Sequence, residues 1–338
     1  MKKIISIFAF SALSAVSCFA QGLHFSQYYN APMLLNPANT GFIQSNDWRA
    51  GMNFRNQWAT VPVPYSTFST FADCSLMKDK WETSWLGTGL AVWRDVAGNG
   101  NLALTKAQAN LAYHILISDR SSLSLGMGAA YNQRSVDISK LTFDVQWDEF
   151  NFNQNVSNQE TFTRQKSTFL DLSAGMNYSF YNNDNFYIKI SAGASHINQP
   201  IETFYGESNK RGLRPIGNLE IVYKASDRLM ISPSVYYTRQ KKASELVYGS
   251  LFNINTESGA SLLSNEIILG AFMRSKDAII AAAGYKFKSS QFMFSYDHTI
   301  SDMAQGNSGL GAFEISMIFQ GNYRRSNDLS KTYGCPRF

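Results

Sequence analysis

Few residues in this chain of 338 are of a type that does chemistry: it has four His and three Cys. So few cysteines exclude a disulfide-stapled scaffold and a Cys-rich zinc module. Asp297 and His298 adjoin as an acid and a base, but neighbours on a strand point to opposite faces and cannot converge on one substrate. Gly87-Thr88-Gly89 resembles part of a phosphate-binding loop. That loop needs a helix behind it, and Leu90-Ala91-Val92-Trp93 continues as a strand instead. Asp95-Val96-Ala97-Gly98-Asn99-Gly100 lacks the alternating acidic ligands and the closing Glu of a calcium loop. No Ser, His and acid set stands out. The expectation is a protein with no catalytic residues, no metal site and no cofactor.

The elements that carry these residues alternate with period two. Thr105, Ala107, Ala109, Leu111, Tyr113 and Ile115 interleave with Lys106, Gln108, Asn110, Ala112 and His114. Leu170, Leu172, Ala174, Met176, Tyr178 and Phe180 interleave with Asp171, Ser173, Gly175, Asn177 and Ser179. On a strand this places apolar side chains on one face and small, hydrogen-bonding ones on the other. Charged residues are 16% of the chain, below the ~25% typical of soluble domains. Aromatics are 14%, which excludes a disordered chain. Net charge is +5 and unclustered, which excludes a nucleic-acid partner.

A buried sandwich and a membrane barrel both produce such alternation. Segments of ten residues or more, a second face of Gly, Ser, Asn and Gln, and aromatics near strand ends favour the barrel. The expected fold is all-β: a transmembrane outer-membrane barrel of about 14 antiparallel strands with a polar lumen. The strands fall near 47–55, 65–76, 85–93, 102–117, 122–136, 167–180, 186–196, 216–224, 228–238, 244–254, 265–274, 278–288, 291–300 and 311–319, with 244–254 the least patterned. Residues 1–20 read as a cleaved signal peptide: Met1-Lys2-Lys3, an apolar run, then Cys18-Phe19-Ala20 before Gln21. The competing reading, lipidation at Cys18, lacks the usual Leu of a lipoprotein box. The organisation is then a periplasmic lead-in segment over 21–46, a barrel over 47–319 and a periplasmic tail over 320–338. With both ends in the periplasm the long connections 137–166 and 197–215 fall outside, and most inner turns are short.

Past the signal, Ser26-Gln27-Tyr28 and Asn36-Pro37-Ala38 with Gly41 resemble the opening of the PorP/SprF family of type IX secretion membrane proteins. Gln57-Trp58, Leu86-Gly87-Thr88-Gly89-Leu90, Ser232-Pro233-Ser234, Ser295-Tyr296-Asp297, Glu314-Ile315-Ser316 and Cys335-Pro336-Arg337-Phe338 are similar to later family signatures, in order along the chain. Thr40-Gly41 stands where Ala-Gly is usual, and His298 follows Tyr296-Asp297 where Ile or Val is usual. The resemblance implies a non-enzymatic outer-membrane barrel that helps export or retain a secreted, adhesin-like cargo at the cell surface, including cargo of gliding motility. It implies three partners: outer-membrane lipid, that cargo and periplasmic type IX components.

Some residues have two readings. Asn36-Pro37-Ala38 is either a docking element or a Pro-fixed turn ahead of the barrel. Phe143, Trp147, Phe150 and Phe152 in the longest outer loop are candidate cargo contacts, since exposed aromatics mark interfaces. Cys74 and Cys335 are either free thiols or a disulfide tying the tail to the rim, which an oxidising periplasm permits. The basic tail, with Arg324, Arg325, Lys331 and Arg337, either meets a periplasmic partner or is solvated. The alternative function is a porin-like passive solute channel lined by residues such as Lys106, Gln108 and Asn110.

Overall fold

The computed structural model describes residues 25–43, 46–59, 64–78, 80–98, 100–148, 151–153, 155–157, 164–182, 185–206, 208–256 and 265–323. The signal peptide of the sequence reading, Phe150 and Cys335 lie outside these residues.

Fourteen strands of the described residues close into an antiparallel barrel. They are β1 (Trp48–Gln57), β2 (Tyr65–Leu76), β3 (Ser84–Ala97), β4 (Leu102–Ser118), β5 (Ser121–Ser135), β8 (Lys166–Asn182), β9 (Phe186–Ser195), β10 (Arg214–Lys224), β11 (Leu229–Gln240), β12 (Ala243–Asn255), β13 (Glu266–Arg274), β14 (Ala278–Phe287), β15 (Ser290–Thr299) and β16 (Leu310–Gly321). Two-residue strands β6 (Trp147–Asp148) and β7 (Asn151–Phe152) form a separate hairpin in the longest loop. Each of the fourteen expected segments is a wall strand, including β12 where the pattern was weakest.

β1 closes on β16, with Trp48 opposite Gly321 and Gln57 opposite Ala312, so no sheet edge is left open. Both ends of the wall therefore lie at one end of the barrel, termed the terminal end. The connections 136–165 and 196–213 leave from the other, the loop end.

The period-two pattern becomes two surfaces. Leu90, Met127 and Leu170 point outward and are about two-thirds exposed, at 66%, 66% and 65%. With Leu111, Ile190, Ile279 and Phe294 they form an apolar belt that only lipid can cover. Ser69, Asn110, Ser124, Asn177 and Ser295 point inward and are buried. Among the described residues no helix is long and apolar enough to cross a membrane.

The lead-in segment is placed differently from the sequence reading. Residues 25–43 do not lie below the barrel; they run through its lumen as two short 3-10 turns (Tyr28–Asn30 and Pro37–Asn39) and a one-turn helix (Pro32–Leu35). Met33, Ala38 and Thr40 are almost wholly buried. The physical reason is that a lumen wall rich in Ser, Asn and charged groups needs hydrogen-bond partners, and this segment supplies them.

Candidate functional site

The segment's path is fixed at both ends. Ser26 and Gln27 lie at the level of Arg55 and Asp297, each two residues from the loop end of its strand, and of Arg274, the last residue of β13. Gly41 lies beside Asp73 and Cys74, near the terminal end of β2. The segment thus descends the lumen as a plug before β1 climbs back as wall.

The upper anchor is a buried charged network. Arg55 reaches Asp297 at 3.1 Å and also pairs with Glu314. Arg274 reaches Asp297 at 3.2 Å, Asp277 at 3.1 Å and Glu245 at 3.3 Å. The plug completes the network. The Ser26 hydroxyl donates to Asp297 at 2.6 Å and accepts from both guanidiniums. The Glu314 carboxylate accepts the backbone N–H groups of Ser26 and Gln27, the latter at 2.8 Å. A buried carboxylate left short of partners costs several kcal/mol, about 3–5 when an ion pair is broken, so the network holds the plug by charge-assisted bonds.

Below it, Gln27 donates to Ser295 at 3.0 Å and accepts from Ser316 at 2.7 Å. Asn30 donates to Ser316 at 2.8 Å. The Tyr28 hydroxyl meets that of Ser234 at 2.6 Å, and its ring stacks on Tyr236 with centroids 5.2 Å apart.

The lower anchor is the Asn36-Pro37-Ala38 turn. Pro37 opens the 3-10 turn with its φ already set, and Asn36, extended at φ −160° as a residue before proline prefers, caps it. The Asn36 side-chain oxygen accepts from Ala38 N at 2.8 Å, and its amide donates to Met176 O at 3.2 Å and Ala192 O at 3.0 Å. One side chain thus caps the turn and ties it to the wall. Glycines make room for it. A Cβ on Gly126 would stand 2.3 Å from Ala38 N, and one on Gly87 1.9 Å from Thr40 O. Gly41, at φ +66°, turns the chain out of the lumen against Gly87. Thr40 O also meets His114 at 2.9 Å, and the Gly41 carbonyl accepts from Trp85 at 3.1 Å.

The structure therefore brings together most of the sequence-singled residues: Ser26, Gln27, Tyr28, Asn36, Pro37, Ala38, Gly41 and Asp297, with Gln57 accepting from Arg55 at 3.1 Å. Tyr296 points outward, and Trp58 packs edge-on against Tyr65 away from the plug. His298 is exposed on the face opposite Asp297. Trp147 and Phe152 pair in the outer hairpin with rings 5.9 Å apart, and Trp147 is 62% exposed. Phe143 stands just before that hairpin, half-buried. Cys74 is a half-buried free thiol among the described residues.

Sequence reasoning missed Arg274, Glu245 and the steric role of Gly126 and Gly175. A charged or side-chain-less residue at an inward strand position was the available signal. Lys106, Gln108 and Asn110 do face the lumen, but they are engaged. Lys106 pairs with Asp171 at 3.6 Å, Gln108 donates to Asn110 at 2.7 Å, and Asn110 donates to Thr40 at 3.1 Å.

The family model described as type IX secretion system membrane protein PorP/SprF matches residues 17–319. No curated protein sequence matches the chain. Among solved structures, the Ralstonia pickettii toluene transporter TbuX is similar at TM-score 0.54 and 10% identity, covering 87% of this chain and 94% of that one. The Pseudomonas putida toluene transporter TodX is similar at TM-score 0.52 and 8% identity, covering 87% and 94%. At these identities the likeness is one of fold. With the apolar belt and the matched family, it places the barrel in the outer membrane.

Proposed function

As the chain belongs to the PorP/SprF family of type IX secretion system membrane proteins, we propose that it is a non-enzymatic barrel that helps export or retain one secreted, adhesin-like protein at the cell surface. The observation that carries this reading is the plug. Two anchors, one ionic and one steric, hold residues 25–43 across the lumen, so the barrel is built to stay closed while its loop end presents a surface. A passive solute channel, the competing function, would have to pass its solute around this segment or displace it.

In this reading the terminal end faces the periplasm and meets periplasmic type IX components, and the loop end faces outward. The aromatic hairpin with Trp147 and Phe152, together with Phe143 and Phe150, is the cargo contact. Exposed aromatics on a short, paired hairpin are preorganised anchors of the kind that dominate interfaces. Deleting the protein and comparing cell-surface and medium proteins by mass spectrometry tests the proposal. One large secreted protein should leave the surface; an unchanged surface inventory would contradict it.

A further inference from the structure

The plug sits off centre. Its Pro37–Asn39 turn packs on β4, β5 and β8, where Gly126 and Gly175 let it approach the wall. On the opposite side, between the plug and β9–β12, a cavity of about 240 Å³ remains. Its ceiling is aromatic: Tyr28 stacks on Tyr236, and Tyr29 stacks on Phe272 at 5.5 Å. Leu35 and Leu251 line its sides. Its mouth is at the terminal end, where Arg49 and Gln320 lie one step in from the closing Trp48 and Gly321 pair.

An empty cavity of about 150 Å³ already holds benzene, so this one has room for a single ring and a short chain. The chemistry of the mouth sets the other end of the ligand. Lys189 uses one of its three donors on Glu220, at 2.7 Å. Arg49 directs Nε and Nη2 at Asp73, which stands behind it outside the cavity. This leaves Nη1 without a partner among the described residues. Both cations are thus ion-paired, Lys189 with Glu220 and Arg49 with Asp73, yet each keeps spare N–H donors at the cavity, with the hydroxyls of Ser232 and Ser234 also in the lining.

We infer that this cavity is a binding site for a small organic anion with a single ring or short chain, entering from the terminal end. Its apolar body lies under Tyr28 and Tyr29, and its head is held by Lys189 and Arg49. An aromatic-roofed site with donors at one end has the form expected of a small-molecule pocket.

The test titrates the full-length protein in detergent calorimetrically with 3-phenylpropanoate, against a detergent-only baseline and against the cation 2-phenylethylamine. Saturable binding of the anion, at least tenfold tighter than the amine, is expected. Ser232→Trp, which fills the cavity, should abolish it. Lys189→Gln should weaken the anion about tenfold and leave neutral 2-phenylethanol unchanged, which serves if the tryptophan variant does not fold. Binding no greater than the micelle baseline, equal affinity for anion and amine, or a Lys189→Gln protein that binds the anion like the parent would overturn the inference.

Discussion

A Cβ built on Gly175 would stand 2.0 Å from Oδ1 of Asn36, so β8 and the plug's turn meet only because position 175 carries no side chain. The Asn36 amide bonds two carbonyls of the wall at that spot, Met176 O and Ala192 O. Steric permission and hydrogen bonding thus act at the same place.

Gly87 offers the cleanest steric test, since its added Cβ would meet a backbone oxygen at 1.9 Å. Gly87→Ala should unseat the lower half of the plug at a cost of about 1–3 kcal/mol. Limited proteolysis would then cut within residues 25–43 while the barrel stays folded. Gly217→Ala, with nothing within 4 Å of the new atom, is the control and should leave cleavage unchanged.

Glu314 tests the ionic anchor. Glu314→Gln removes the charge that balances Arg55 and weakens the acceptors of Ser26 N and Gln27 N. The expected loss is about 3–5 kcal/mol of stability. It would be read as a lowered temperature for the gel-mobility shift of the folded barrel, and no shift would show that the network does not hold the plug.

The plug itself predicts conductance behaviour. The intact protein should show no steady open pore in a planar bilayer, whereas a variant lacking residues 25–43 should conduct. A large steady conductance of the intact protein would favour the channel reading.

The outer hairpin predicts a functional loss without a structural one. Trp147→Ser with Phe152→Ser removes two exposed, paired rings. Cargo on the cell surface should fall severalfold while the barrel's amount in the outer membrane is unchanged; unaltered retention would move the contact elsewhere.

The proposed pairing of Cys74 with Cys335 is checked by alkylating the native protein before a non-reducing gel. Two modified thiols would exclude it.

The wall was legible in the sequence because strand periodicity is local. Ala103 to Ile117 alternates unaided, and even 244–254, with little pattern, was placed as β12. The plug was not legible, because its partners are far apart in the chain. Ser26 meets Asp297, and Gln27 meets Ser295 and Glu314. The ordered signatures Ser26-Gln27-Tyr28, Ser232-Pro233-Ser234, Ser295-Tyr296-Asp297 and Glu314-Ile315-Ser316 converge on that one site. Spacing alone carries no trace of this. The glycines Gly126 and Gly175 read as polar-face fillers, and only the turn lying against them explains why no side chain fits.

The cargo role is tested by recovering the tagged barrel from its native outer membrane in mild detergent, with mass spectrometry of what accompanies it. One large secreted protein should accompany it, together with type IX components. A barrel recovered alone, with its surface location verified, would contradict that role.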